Sequence, residues 1–124
     1  MNRIVICTEY WHKNGGYKLS GYMGVYHPNT LYSEEYDCPV FTGGAKNDKY
    51  IFFCKKSHRW VFTDCKTKIR NSIGTIRSNR SDLCSGPPEN LQWQVYYEPG
   101  AIWHSMLWSE KGWISMNGFM CKFK

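Results

Sequence analysis

The chain has 124 residues, of which 17% are aromatic and 21% charged, and its formal net charge is +6. This length fits one domain over residues 1–124, which buries about two-thirds of the surface that the unfolded chain exposes. No apolar run approaches the roughly 20 residues of a membrane-spanning helix, so the sequence excludes a span of that kind.

Short runs of β-branched and aromatic residues, interrupted by Gly, Pro, Asn, Asp or Ser, predict strands. No amphipathic helix is predicted. The expected fold class is all-β, a small antiparallel β-sandwich or barrel stapled by disulfides. In chain order the predicted strands are Ile4–Tyr10, Tyr17–Tyr26, Pro39–Thr42, Tyr50–Cys54, Trp60–Asp64, Ile73–Arg77, Trp93–Tyr97, Ile102–Ser109, Trp113–Ser115 and Phe119–Phe123.

The clearest local unit is a hairpin in which a polar loop, Lys55 to Arg59, joins two apolar strands. The predicted register sets residue 54 opposite residue 60, which places alternate side chains on common faces. Both faces are apolar, so we expect the hairpin to lie in the core. The two faces are Phe52, Cys54, Trp60 and Phe62 on one side, and Ile51, Phe53, Val61 and Thr63 on the other.

Six dispersed cysteines without a metal-type Cys-x-x-Cys pair indicate a disulfide framework, and hence a secreted protein. The alternative is six unpaired core thiols. Of the fifteen possible pairings, the hairpin register disfavours Cys54 with Cys65, whereas Cys7 with Cys121 would tie the two termini together. The predicted disulfide residues are Cys7, Cys38, Cys54, Cys65, Cys84 and Cys121.

A ligand-binding site is predicted in the C-terminal third, where three tryptophans recur every five residues among polar side chains. Flat apolar rings beside hydrogen-bonding groups suit a sugar ring or a protein hot spot. The alternative is that all three rings are buried. The predicted ligand-binding residues are Trp103, His104, Trp108, Glu110 and Trp113.

Catalytic residues are not predicted. Histidines and carboxylates are present, but no motif brings two histidines near a lysine, and motifs for serine hydrolases, nucleotide-binding loops and zinc proteases are missing. The sequence implies no cofactor and no metal. A small basic secreted hydrolase is therefore only the third choice of function.

Several short motifs follow one another in a recognisable order: Gly21-Tyr22, Pro39-Val40-Phe41, Arg59-Trp60-Val61-Phe62-Thr63-Asp64 and a later Pro87 and Trp93. This order resembles an uncharacterised aromatic-rich β-module in extracellular proteins of marine invertebrates and protists. The resemblance covers most of the chain. It implies a β fold and an extracellular setting, and it implies no activity.

The positive charge favours anionic partners, and the basic residues come closest to a patch between residues 55 and 80. The expected function is a secreted, non-enzymatic binding module for a glycan or an acidic extracellular polymer. Nucleic acid is an unlikely partner in this interpretation. The alternative function is a structural or protein-interaction component of an extracellular matrix or secretion.

Overall fold

The computed structural model describes residues 4–8, 21–82, 91–97, 112–116 and 119–123, with side chains for 21–82 and 91–95. These residues form nine strands and two short helices, α1 (Thr30–Tyr36) and α2 (Lys66–Arg70). The protein is therefore mostly β, as predicted. The strands are β1 (Ile4–Thr8), β2 (Gly24–Pro28), β3 (Val40–Gly43), β4 (Lys49–Cys54), β5 (Arg59–Thr63), β6 (Ile76–Ser78), β7 (Trp93–Tyr97), β8 (Gly112–Met116) and β9 (Phe119–Phe123).

All nine strands belong to one antiparallel sheet with the order β8-β7-β6-β5-β4-β3-β2-β1-β9. From β1 to β8, sequence neighbours are also sheet neighbours, and β9 returns to pair with β1. Within the described residues the hydrogen-bonded ladder is open rather than closed, with β8 and β9 at its edges. This arrangement is a single sheet rather than the two stacked sheets of a sandwich.

The covalent chain limits how far apart the two edges of this sheet lie. Only two residues separate Met116, the last residue of β8, from Phe119, the first of β9. Three consecutive Cα–Cα steps span at most about 11 Å, so the two edge strands approach each other at this point. The sheet must therefore curl, which gives it an inner and an outer face.

The inner face holds a cluster of large aromatic side chains centred on Phe62. The Phe62 ring lies edge-on to Tyr22, Tyr26 and Trp93, with centroids 6.0, 5.8 and 5.2 Å away. Edge-to-face packing is a favoured geometry for such rings. The buried cluster consists of Tyr22, Tyr26, Phe41, Ile51, Phe53, Trp60, Phe62, Ile76, Trp93 and Val95.

The outer face of the same strands is covered in part by the two helices. Its buried residues are Val40, Phe52, Cys54, Val61 and Ile69, of which Ile69 comes from α2. Half-buried side chains from α1 and its flanks pack against them. The central hairpin is thus buried on both faces, as predicted.

The sequence predicted no amphipathic helix, and the two helices in the structure were missed because of their length. Helices of seven and five residues are too short to show an apolar period. Helix α1 depends instead on its ends: the Asn29 side chain accepts a hydrogen bond from the backbone N–H of Tyr32 at 3.0 Å. At the other end Asp37 adopts a left-handed conformation and donates its N–H to the Ser33 carbonyl oxygen.

The predicted register of the central hairpin was wrong by one residue. Phe53 pairs with Trp60 and Ile51 with Phe62, so the predicted faces do not hold. Ile51, Phe53, Trp60 and Phe62 share the inner face, whereas Phe52, Cys54 and Val61 share the outer one. The connection has four residues rather than five, and it ends on His58 in a left-handed conformation (φ 55°).

Other predicted strands agree with the structure to varying degrees. The predictions for β7 and β9 match their observed bounds. The strand predicted over Ile73–Arg77 begins later, at Ile76, because Ser72 turns through a left-handed conformation (φ 56°) and Ile73 is exposed. The strand predicted over Ile102–Ser109 lies outside the described residues.

The disulfide framework stays a prediction. Among the residues whose side chains are described, Cys38, Cys54 and Cys65 are free thiols. Cys7 and Cys121 lie on the adjacent strands β1 and β9, one ladder position out of register, because Cys121 pairs with Ile6. Cys84 lies outside the described residues. No helix in the described part of the chain is long and apolar enough to cross a membrane.

Replacing Trp60 tests the two-sided burial of the hairpin. Trp60 is fully buried, so we expect Trp60→Ala to lower the free energy of unfolding by about 3–5 kcal/mol through lost packing and the cavity left behind. Leu31 on α1 is 71% exposed, so Leu31→Ala should change the free energy of unfolding by no more than about 0.5 kcal/mol. Urea titration followed by circular dichroism measures both. Equal losses in the two variants would contradict this core.

Burial of Tyr22 predicts a loss of stability at high pH. Burial raises the pKa of its hydroxyl from 10.0 to about 12, against the opposing effect of its hydrogen bond with Thr75. The folded state then holds a proton that the unfolded chain releases. The contribution of Tyr22 to the free energy of unfolding is complete below pH 10.0. It is lost, up to about 2–3 kcal/mol, as the pH rises towards 12. Urea titrations at a series of pH values should give a shallower decline for Tyr22→Phe than for the wild type; identical slopes would contradict the prediction.

Candidate functional site

Two adjoining cavities lie on the outer face, and together we call them the outer groove. The first, of about 260 Å³, lies between α1, the end of β4 and the end of α2. The second, of about 240 Å³, lies over β5 and β6, and both are bordered by Cys54, Lys56 and Ser72. The first is lined by Glu35, Tyr36, Asp37, Cys38, Phe52, Phe53, Cys54, Lys55, Lys56, Ile69, Arg70 and Ser72. The second is lined by Cys54, Lys56, Ser57, Arg59, Val61, Ser72, Gly74 and Arg77.

The charged residues that line the second cavity, in the part of the chain that the structure describes, are all cations. Its charged lining residues are Lys56, Arg59 and Arg77. Strand pairing explains why they meet: Val61 pairs with Arg77, and Arg59 stands two residues before Val61, on the same face of β5. The sheet therefore gathers positive charge that is dispersed along the sequence.

Hydrogen bonds hold the two arginines in place at the edge of this cavity. The Arg59 guanidinium donates to the Ser78 carbonyl oxygen at 2.9 Å. The Arg77 Nε donates to the Gln94 Oε1, also at 2.9 Å. Burial, and then the positive charge of Arg59, lower the pKa of Arg77. The two guanidinium groups thus repel each other, and an anion placed between them would relieve this repulsion.

The first cavity has a mixed charge. Lys55 pairs with Asp37 at 3.3 Å, across the mouth of the cavity. Arg70 lies over the half-buried ring of Tyr36, 5.7 Å from its centroid, in a cation–π contact. This end of the outer groove therefore holds an aromatic ring stacked against a guanidinium, next to the second cavity with its Lys56, Arg59 and Arg77.

Cys54 lies where the two cavities meet, and only 6% of it is exposed. Burial opposes ionisation of its thiol, but hydrogen bonds from the Ser57 and Ser72 hydroxyls and from the Ser57 and Lys56 backbone lower its pKa overall. Among the described residues, histidine does not line either cavity.

The side chains of the predicted ligand-binding residues are not among those that the structure describes. Trp103, His104, Trp108 and Glu110 lie outside the described residues. Trp113 lies on β8, where it pairs with Tyr96, and its side chain is not described. The predicted tryptophan site stays a prediction.

The aromatic surplus of the sequence has a structural explanation in the described residues. The tryptophans whose side chains are described, Trp60 and Trp93, are both buried, and the large apolar side chains that are most exposed are the aliphatic Val25, Leu31 and Ile73. Among these side chains, aromatic rings therefore fill both faces of the sheet.

The residues that form the outer groove were not predicted from the sequence. The basic stretch 55–80 was noticed in the sequence, but its members were not assigned to a site. Alternation along β5 and β6 would have placed Arg59 and Arg77 together only if the pairing of these strands had been known. The described residues contain no group of three or more His, Cys, Asp or Glu side chains placed to hold a metal ion.

Comparisons of the chain with protein-family models, with curated proteins and with solved structures gave no significant match.

Proposed function

We propose that this protein is a secreted, non-enzymatic binding module that recognises an acidic glycan or a related anionic extracellular polymer in the outer groove. The observation that carries the proposal is the second cavity, where Lys56, Arg59 and Arg77 converge and no carboxylate stands among the described lining residues. The formal net charge of +6 acts in the same direction, because it attracts anionic polymers at long range.

The chemistry of the arginines favours sulfate and carboxylate groups. A guanidinium presents paired N–H donors in a planar fork that matches two oxygens of such an anion. Arg59 and Arg77 each use part of this donor set on Ser78 and Gln94, which fixes their orientation. Lys56 is exposed and adds a point charge at the junction of the two cavities.

The lining of the first cavity favours a sugar polymer as the ligand, rather than a simple inorganic anion. Tyr36 offers a half-buried ring beside Arg70, and aromatic faces pack against the apolar face of a sugar. A polymer that lies along the outer groove would place an acidic group near Arg59 and Arg77 and a sugar ring near Tyr36. The lack of histidine among the described lining residues favours binding over nucleophilic catalysis.

Reversing the charge at Lys56 tests the proposed function. We expect Lys56→Glu to weaken binding to heparin, used as a sulfated-glycan probe, by roughly tenfold, because it replaces an attraction with a repulsion at the junction of the cavities. It should also flatten the dependence of log affinity on log salt concentration, since fewer counterions are displaced on binding. Isothermal titration calorimetry over a range of salt concentrations measures both quantities.

Lys46→Glu is the matched control, because Lys46 is also exposed, changes the net charge equally and does not line the outer groove. Equal weakening by the two variants would mean that net charge alone attracts the polymer, and it would overturn the assignment of the groove. Failure of the wild type to bind sulfated and carboxylated glycans at low salt would overturn the function itself. Single-stranded DNA serves as the comparison polymer and should bind more weakly than heparin.

A further inference from the structure

The pairing of β3 with β4 brings two cysteines opposite each other. Val40 pairs with Phe52 at the end of this ladder, and continuing the same count two positions beyond it sets Cys38 opposite Cys54. The backbone N–H of Phe53 donates to the Pro39 carbonyl oxygen at 3.2 Å, one position inside the cysteine pair. One position outside it, Lys55 forms an ion pair with Asp37 at 3.3 Å. Contacts on both sides therefore hold the two cysteine positions together.

The position of Cys38 and Cys54 relative to the backbone hydrogen bonds also suits a disulfide. The hydrogen bond from Phe53 to Pro39 makes these two residues a hydrogen-bonded pair. Pair types alternate along an antiparallel ladder, so the next pair, Cys38 and Cys54, is a non-hydrogen-bonded one. At such positions the Cα atoms lie about 4.5 Å apart and the side chains are at their closest. Disulfides join residues whose Cα atoms lie roughly 4.4–6.8 Å apart, so the ladder geometry falls within this range.

Both thiols belong to the same environment. Cys54 is part of the buried cluster on the outer face, the half-buried Cys38 packs against that cluster, and both line the first cavity. Burial raises the pKa of Cys38, Lys55 opposes this effect, and Cys54 raises the pKa further, which is consistent with two neighbouring thiols. Cys65, by contrast, stands at the N-terminus of α2, where Thr67 lies 3.0 Å from its sulfur.

We propose that Cys38 and Cys54 form a disulfide by exchange with an oxidant of the disulfide class. The thiolate of Cys38, the more accessible residue, attacks one sulfur of the oxidant, forms a mixed disulfide and releases the first oxidant thiol. Cys54 then attacks the sulfur of Cys38 and releases the second. Two cysteine thiols are oxidised, one oxidant disulfide is reduced to two thiols, and the two cysteine protons end on those thiols.

This bond would join the C-terminal end of α1 to the end of β4. It would fix one wall of the first cavity and reinforce the junction that the Asp37–Lys55 ion pair already makes. The proposal is independent of the proposed function, because bond formation requires no ligand. It also assigns one of the three pairings expected from six cysteines.

Peptide mapping of the full chain under non-reducing conditions tests the pairing. The protein is equilibrated with a mixture of reduced and oxidised glutathione, remaining thiols are alkylated, and the chain is digested with trypsin. Cys38 and Cys54 fall in different peptides, residues 19–46 and 50–55. We expect these two peptides to appear as one linked species, lighter than their sum by two hydrogens, and to separate when a reductant is added.

The matched control is Cys65→Ser, which should leave the linked species unchanged, since Cys65 lies in another tryptic peptide, residues 60–66. Cys38→Ser should abolish the linked species and leave Cys54 open to alkylation after denaturation. Recovery of Cys54 linked to any other cysteine, or alkylation of both Cys38 and Cys54 in the oxidised sample, would overturn the proposal. Mapping the wild type alone suffices for this decision, so it does not depend on whether the variants fold.

Discussion

The register between β4 and β5 is the constraint on which the rest of the structure depends. It sends Phe53, Trp60 and Phe62 to the inner face of the sheet and leaves Cys54 and Val61 on the outer one. Because both faces are buried, a slip by one residue would move the side chains of one strand to the opposite face and disrupt both clusters. The left-handed conformation of His58 shortens the connection and selects this register.

The outer groove follows from the same register. With Val61 on the outer face, Arg59 lies on that face as well, and the pairing of β5 with β6 brings Arg77 to it. Helix α1 packs near β3 and helix α2 near β5, and the groove lies beside these helices on the outer face. An apolar hairpin at the centre of the core thus determines where the positive charge of the chain is concentrated, which links the packing of the fold to the proposed binding function.

The elements that could be predicted are those that neighbouring residues in the sequence specify. Strands such as Trp93–Tyr97 and Phe119–Phe123 were predicted with their observed bounds, because aromatic and β-branched runs there end at turn residues. The register of the central hairpin depends on His58, which is left-handed although it is not glycine. The helices depend on caps such as Asn29. Neither feature produces an apolar period in the sequence. The site of Arg59 and Arg77 depends on the pairing of strands, a non-local property that composition does not encode.

The most direct test of this account is the cross-strand register of β4 and β5, measured by nuclear Overhauser effects between assigned backbone protons. The account predicts contacts that pair Phe53 with Trp60 and Ile51 with Phe62. Contacts that pair Cys54 with Trp60 and Phe52 with Phe62 instead would contradict it, because that register would place Phe52 and Cys54 on the same face as Trp60 and Phe62.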